Sequence, residues 1–212
     1  MTSYPWGLTK QELRVLKRLS TPSKIQDFLD KHIAYNHEPQ GDTCRSPRVV
    51  LREKTAHCIE GSLLAAAALR VHGEKPLIVD LAAHRDHDHV ICVFKRNGLW
   101  GAISKSQFNS LEYREPIFRT IRELSLSYFP FYYNYSHQKT LRSFSAPVDL
   151  SRFDEIDWMI SEKDLWEIGE FISDVPHTTI VTAAQAKNLR PVSKHIMYAD
   201  KMKAPIDWRS RR

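Results

Sequence analysis

The dipeptide Asn97-Gly98 constrains the fold of this chain more than any other feature of its sequence. It separates two largely apolar stretches, His89–Lys95 and Leu99–Ser104. An Asn-Gly pair between two such stretches is typical of a two-residue hairpin turn, because both residues tolerate the positive φ angles that the turn requires. The sequence therefore predicts an antiparallel hairpin here.

The position of the turn also fixes which residues of the two strands face each other. Arg96 is expected to pair with Leu99, and Ile91 with Ser104. Because side chains alternate between the two faces of a sheet, His89 and Ser104 then lie on one face as diagonal neighbours. A side chain at position 104 can thus hydrogen-bond the imidazole and fix its tautomer, although a serine adds no negative charge.

Helical and extended patterns alternate along the rest of the chain. Thr9–Glu12 forms a capping box ahead of apolar residues at helical spacing, and Thr21-Pro22 starts a second helix. Further helices are expected over 58–72, 116–128 and 193–203, and another is expected to start at about 161–164. Strands are expected over 76–82 and 140–145. We predict an α+β fold with N-terminal helices packed on a mainly antiparallel sheet. Residues 1–135 would form the core, and residues 136–212 a C-terminal extension packed on it.

Composition and charge limit the kind of protein and its partners. Of 212 residues, 42% are hydrophobic and 26% are charged, which suits a globular protein with a substantial core. The longest apolar run, Leu63–Leu69, is too short to cross a bilayer, and the N-terminus lacks an apolar signal segment. The three cysteines suit a reducing compartment, so we expect a cytoplasmic protein. The net charge of +6 is spread along the chain without a recognised binding motif, so we expect neither nucleic acid nor membrane as a partner.

Cys58 stands at the predicted start of the helix that carries this apolar run. A thiol at a helix N-terminus is biased toward the thiolate, because unpaired N–H groups and the helix dipole favour negative charge. His89, which opens the first hairpin strand, is a candidate to accept and donate its proton. The residues therefore indicate a Cys58–His89 nucleophile pair, with Ser104 as an orienting third residue.

Acidic residues near His89 leave two alternatives open. Asp80, Asp86 and Asp88 are other candidates for the third position, although Asp88 is expected to point to the opposite face from His89. The segment 84–89 also holds three histidines and two aspartates, a composition that can bind zinc or another divalent ion. No second metal-binding motif accompanies it in the sequence. Such a segment is more often a charged loop that enters a strand.

Several further residues are candidates for supporting roles. An oxyanion hole would combine the backbone N–H of the nucleophile with a side-chain donor from the preceding loop, for which Asn36 and Gln40 are candidates. Cys92 is expected in the core, and Cys44 is expected to be an incidental loop thiol. The aromatic run 128–135 is expected to pack an appended segment onto the core, with a substrate groove as the alternative.

In this order, the motifs resemble the transglutaminase-like superfamily, papain-like thiol enzymes with a Cys-His-Asp triad. Thr55–Cys58 and the small-residue helix ending at Gly73 are similar to the segment around the family's nucleophile. Asp88–Val90 and Asn97–Ser104 are similar to the family's histidine strand and the hairpin after it. The resemblance covers residues 20–108, and the chain as a whole looks like bacterial transglutaminase-like proteins without a settled activity.

The resemblance implies a papain/transglutaminase-like fold, with Cys58 as nucleophile and His89 as general base and acid. It implies attack on an amide or isopeptide bond of a peptide or protein through an acyl-enzyme, most simply by a cysteine peptidase or amidase that needs no cofactor. Two residues depart from the family's pattern. Ser104 stands where the family has Asp, and His57 stands where a small residue is usual. The missing acid leaves a second hypothesis, a catalytically weak or inactive module that binds a peptide or protein partner.

Overall fold

A computed structural model describes residues 4–200 of the protein as an α+β fold built on a mainly antiparallel, seven-stranded sheet. The strands are β3 (Leu77–Ala83), β4 (His89–Arg96), β5 (Leu99–Ile103), β6 (Arg114–Phe118), β7 (Leu141–Ser145), β8 (Val148–Asp149) and β9 (His177–Thr179). Their order across the sheet is β6-β5-β4-β3-β7-β9, and β8 pairs with β3. A separate parallel pair, β1 (Ala34–Tyr35) and β2 (Thr55–Ala56), lies beside the helices.

The hairpin prediction is confirmed, including its register. Arg96 pairs with Leu99, and the pairing continues to Cys92 and Ile103 at the far end of the two strands. The turn residues Asn97 and Gly98 have φ angles of 52° and 81°, the left-handed conformation that the turn requires.

The helices confirm most of the N-terminal predictions. They are α1 (Lys10–Arg18), α2 (Pro22–His32), α3 (Pro47–Glu53), α4 (Cys58–Val71), α5 (Ile121–Leu126), α6 (Trp166–Asp174), α7 (Ala183–Ala186) and α8 (Lys194–Asp200). The capping box at the start of α1 is complete, because Thr9 accepts from the Glu12 N–H and the Glu12 carboxylate accepts from the Thr9 N–H. None of the helices within residues 4–200 is both long enough and apolar enough to cross a membrane.

Helix α4 is the centre of the fold. Every residue from Ile59 to Leu69 is buried, as expected of a helix that is apolar on all sides. It packs against β4 on one side and against α1, α2 and α3 on the other. Cys92 of β4 is fully buried in this core, as predicted. On the opposite face of the sheet, Ile91 and Val93 pack with α5 and the aromatic segment that follows it.

The helix expected over residues 116–128 is wrong for its first part. The chain forms the edge strand β6 over Arg114–Phe118, and α5 starts only at Ile121, after the cap residue Thr120. Pro116 has no N–H to donate, and at the edge of a sheet a proline is tolerated. The side chain of Ile117 is 67% exposed, whereas the next residue, Phe118, packs on the core cluster that includes Leu124 of α5.

The C-terminal part of the chain contributes to the same sheet. Strand β7 lies next to β3 and β9 lies next to β7, so the sheet crosses the boundary expected at residue 135. The division into 1–135 and 136–212 stays a prediction. The helix expected from about 161–164 begins at Trp166. The helix expected over 193–203 is present over Lys194–Asp200, and its remainder lies outside the described residues.

Candidate active site

Cys58 is the first residue of α4 and lies at the end of the sheet where β4 begins. Its side chain is half-buried and lines a cavity of about 580 Å³. The sulfur lies 4.0 Å from the backbone carbonyl oxygen of Asp88, the residue just before β4. The predicted helix start and the predicted histidine strand are therefore adjacent in space.

His57 is the residue that the sequence reasoning missed. Its Nδ1 atom lies 4.0 Å from the sulfur of Cys58, and its Nε2 atom lies 2.8 Å from the backbone oxygen of Thr43. Two carboxylates flank the same Nε2 atom, Glu38 at 3.4 Å and Glu60 at 3.6 Å. Burial opposes the charged imidazolium, but the interactions with Cys58, Glu60 and Thr43 outweigh it and raise the pKa of His57 to about 9.

Glu60 ties the loop before the site to the first turn of α4. Its carboxylate is fully buried and accepts hydrogen bonds from the Thr43 hydroxyl (2.7 Å), the Arg45 N–H (3.0 Å) and the His57 N–H (3.0 Å). A buried carboxylate is stable when donors satisfy its oxygens in this way. The network holds the ring of His57 in place next to the sulfur. The spacing of His57 and Glu60, three residues apart at a helix start, predicts the hydrogen bond from the His57 N–H to Glu60, but it does not predict where the ring lies.

His89 contacts Ser104, as the hairpin register predicts. Its ring is buried, and its Nε2 atom lies 2.7 Å from the Ser104 Oγ atom and 3.2 Å from the backbone oxygen of Leu111. A carbonyl oxygen only accepts, so Nε2 carries the proton and Nδ1 is left for the thiol. The rings of Tyr128 and Tyr132 pack at 6.4 and 6.5 Å from the imidazole and limit its movement.

Gln26 fixes the backbone of Ser104. The Gln26 side-chain amide donates to the Ser104 carbonyl oxygen at 2.9 Å, and its oxygen accepts from the Ser104 N–H at 3.0 Å. The same amide reaches Asp30 at 2.9 Å. This double hydrogen bond places a fully buried serine against His89.

The two imidazoles make Cys58 a thiolate at neutral pH. Burial on its own raises the pKa of the thiol, but the hydrogen bonds and charges of His57 and His89 lower it to about 5. Cys44 and Cys92 behave in the opposite way. Burial raises the pKa of Cys44 to about 12, and it also raises the pKa of Cys92. Cys44 lies in a loop, as expected, but its sulfur is buried and donates to the carbonyl oxygen of Leu165 at 3.4 Å.

Of the two side chains proposed as oxyanion-hole donors, one has its amide engaged elsewhere and the other is not among the described residues that line the cavity. Asn36 lines the cavity, but its amide already donates to the Thr43 hydroxyl at 2.9 Å and to Glu60 at 3.3 Å. Gln40 is exposed and is not among the described residues that line the cavity. Asn36 instead belongs to the Glu60 network. The backbone N–H of Cys58, in the first turn of α4, is the remaining candidate.

The alternative acids have other partners. Asp80 is buried and lies 3.0 Å from the Nε2 atom of His177, and burial together with the nearby Asp88 raises its pKa to about 7. Asp86 accepts from the Thr140 hydroxyl at 2.6 Å, and Asp88 accepts from the Ala83 N–H at 2.7 Å. Ser104, rather than one of these acids, is therefore the side chain that bonds the far nitrogen of His89.

The metal alternative finds no support in the geometry. His84 and His87 are exposed, whereas His89 is buried against Ser104. Within residues 4–200, no three or more His, Cys, Asp or Glu side chains form a group that could hold a metal ion.

The aromatic run has two roles. Tyr128 and Tyr132 pack in the core behind His89, and Tyr132 also lines the cavity together with Phe131, Tyr133 and Tyr135. Helix α8 completes the wall through Met197 and Asp200. The Asp200 carboxylate accepts from the Tyr133 hydroxyl at 2.9 Å and from the hydroxyl and backbone N–H of Ser110, both at 2.8 Å.

A comparison with protein-family models found no match, and a search of curated protein sequences also found none.

Proposed function

We propose that the protein is a thiol enzyme of papain/transglutaminase-like fold that attacks an amide or isopeptide bond and forms an acyl-enzyme on Cys58. Hydrolysis is the favoured outcome, which makes it a cysteine peptidase or amidase. One observation carries the proposal: a half-buried thiol of lowered pKa stands between His57 and His89 and opens into a cavity. Catalytic cysteines are found in partly accessible positions of this kind, where neighbouring imidazoles favour the thiolate.

The residues around Cys58 have complementary tasks in this reaction. The thiolate attacks the carbonyl carbon, and the backbone N–H of Cys58 stabilises the developing oxyanion. The proton of the Cys58 thiol resides on Nδ1 of His89 when the thiolate attacks. His89 gives this proton to the leaving amine as the C–N bond breaks, and the acyl group stays on sulfur. Water then attacks the thioester while Nδ1 of His89 removes its proton, and the C–S bond breaks, which releases the acid and restores the thiolate beside the protonated His89.

In this proposal His57 stabilises the thiolate of Cys58. Its Nε2 atom is engaged by the backbone oxygen of Thr43, so the ring is fixed and presents Nδ1 to the sulfur. A charged imidazolium next to the sulfur stabilises the negative form without taking part in proton transfer to the substrate. His89, which is hydrogen-bonded to Ser104, is thereby left to transfer protons.

The neutral side chain at position 104 favours a second candidate function. Ser104 and the Leu111 carbonyl oxygen orient His89, but neither adds the negative charge that stabilises an imidazolium in a full triad. A module with slow or no turnover that binds a peptide or protein partner in the same cavity is therefore the alternative.

An activated ester tests the proposal without knowledge of the natural substrate. Incubation with p-nitrophenyl acetate should give a burst of nitrophenol and a protein carrying one acetyl group on Cys58, detected by intact-protein and peptide mass spectrometry. The acetyl group should then leave with time. Cys58→Ala should abolish the burst, and Cys92→Ala, which removes a thiol buried elsewhere, should retain it. A burst that is the same in Cys58→Ala rejects the enzyme proposal. Acetylation without release supports the binding module.

A further inference from the structure

The cavity at Cys58 carries a charge opposite to that of the protein as a whole. The chain has a net charge of +6, but the described residues that line the cavity include no lysine or arginine. They do include five carboxylates: Glu38, Asp42, Asp86, Asp88 and Asp200. The imidazolium of His57 also lines the cavity, but carboxylates predominate, and a cleft in which one sign of charge predominates raises the local concentration of molecules of the opposite sign.

These charges are largely uncompensated. Glu38 lies 3.4 Å from the Nε2 atom of His57. The other four carboxylates form no ion pair with a lysine, arginine or histidine within residues 4–200. The hydrogen bonds that Asp86, Asp88 and Asp200 accept come from hydroxyl and backbone N–H groups, which are neutral. Neutral donors hold a carboxylate in position and leave its charge available to a ligand.

The carboxylates come from several elements that line the same cavity as the reactive thiol. The backbone carbonyl oxygen of Asp88 lies 4.0 Å from the sulfur, and the Glu38 carboxylate contacts the ring of His57. Asp42 comes from the loop between β1 and α3, and Asp200 comes from α8. A substrate whose acyl group reaches Cys58 therefore meets negative charge from several elements at once.

Aromatic rings supply the rest of the lining. The rings that line the cavity are those of Tyr35, Phe108, Phe131, Tyr132, Tyr133 and Tyr135. The faces of such rings attract ammonium and guanidinium groups, and their surfaces pack against the methylene stem of a lysine or arginine. No group of side chains within residues 4–200 is arranged to hold a metal ion, so the lining fits an extended organic cation better than a divalent metal.

We propose that the cavity selects basic peptides, in which a lysine or arginine side chain lies next to the acyl group that Cys58 attacks. The inference rests on the proposed function, because it names the substrate class of the same thiol. The carboxylates would bind the cationic head, and the aromatic rings would cover its stem.

Charged thiol reagents test whether the cavity attracts positive charge to Cys58, and they require no catalysis. The reagents are two methanethiosulfonates of similar size, one with a trimethylammonium group and one with a sulfonate. Each rate of modification of Cys58 is divided by the rate of the same reagent with a small neutral thiol. The cationic reagent should then be favoured at least about tenfold, and salt should reduce the preference. Asp88→Asn and Asp42→Asn should each lower the preference severalfold, whereas Glu170→Gln, which removes an exposed carboxylate outside the cavity, should not.

Peptide probes test whether the cavity selects a lysine side chain next to the reactive group. Short peptide vinyl sulfones that differ only in lysine, norleucine or glutamate next to the reactive group should label Cys58 fastest with lysine and slowest with glutamate. We expect about a tenfold gap between lysine and norleucine, which is about 1.4 kcal/mol. Equal normalised rates for the two small reagents overturn the inference, and so do equal rates for lysine and norleucine probes. Because the small reagents report the charge at the thiol alone, their result stands apart from the ester burst that decides whether Cys58 is catalytic.

Discussion

The Nε2 atom of His89 lies 2.7 Å from the Oγ atom of Ser104, a residue 15 positions further along the chain. The Asn97-Gly98 turn brings the two strands together, and Gln26 then clamps the Ser104 backbone from the other side. A hydroxyl therefore occupies the position from which a carboxylate orients the histidine in a full triad. Ser104 positions the imidazole but adds no negative charge to it.

Ser104→Ala should lower the rate of Cys58 acetylation at neutral pH by about tenfold, because His89 then keeps only the Leu111 carbonyl oxygen as a partner. The rate is measured from the nitrophenol burst. Ser62→Ala is the matched control, since Ser62 is also a buried serine and donates to the Val90 carbonyl oxygen at 2.8 Å. Both variants should lose about 1 kcal/mol of unfolding free energy. Equal acetylation rates in the two variants would show that Ser104 has no role in orienting the histidine.

His57→Gln should raise the pKa of Cys58. In the native protein the thiol pKa is about 5, so alkylation by iodoacetamide should rise with pH around this value and then level off. His57, with a pKa of about 9, is charged throughout this range, and its charge favours the thiolate. Without it, alkylation at about pH 6 should fall severalfold, whereas at about pH 10 the two proteins should react alike because both thiols are ionised.

His72→Gln provides the control for this titration. His72 lies at the other end of α4, where its Nε2 atom contacts the Leu16 carbonyl oxygen at 3.2 Å. Its removal should leave the alkylation profile unchanged. An unchanged profile in His57→Gln itself would contradict the role given to His57 and would leave His89 as the only imidazole acting on the thiol.

The parts of the fold that could be predicted are those with local signals. The hairpin follows from two turn residues, and α4 follows from its start at Cys58 and from Gly73, which has a φ of 80° just after its end. The predicted helix over 116–128 is wrong for residues 116–118, which belong to the edge strand β6. Their edge-strand pairing with β5 depends on contacts distant in sequence, and such contacts override local preference.

The candidate site also has one part that could be predicted from the sequence and one part that could not. The contact of His89 with Ser104 follows from strand register, which the sequence contains. The position of His57 does not, because it depends on the loop that brings Thr43 and Glu38 back over the start of α4. Pairing of β1 with β2 returns that loop to the site, and strands of two residues carry too little pattern to be recognised.

Glu60→Gln should destabilise the protein by about 2–4 kcal/mol. The buried carboxylate accepts hydrogen bonds from backbone and side-chain donors on both of its oxygens, and an amide would place its own NH₂ group against some of those donors. Urea unfolding measures the change. Glu53→Gln is the control, because Glu53 is exposed and pairs with Arg52 at 2.9 Å, and exposed pairs contribute little. A loss below about 1 kcal/mol for Glu60→Gln would mean that the network does not hold the loop.

Gly61→Ala and Gly169→Ala should have opposite effects, although both glycines lie inside helices. A Cβ atom at Gly61 would lie 2.5 Å from the Lys105 Cβ atom, whereas at Gly169 the nearest atoms are 3.9 and 4.0 Å away. Gly169→Ala should therefore stabilise the protein by about 0.5–1 kcal/mol through lower backbone entropy in the unfolded chain. Gly61→Ala should cost about 1–3 kcal/mol, because the buried Lys105, which donates to the Leu29 carbonyl oxygen at 2.8 Å, has to move.

Since Lys105 follows Ser104 in the chain, this displacement should also slow acetylation of Cys58, and Gly169→Ala should not. A stable and fully reactive Gly61→Ala variant would contradict the close packing of α4 against the segment that carries Ser104.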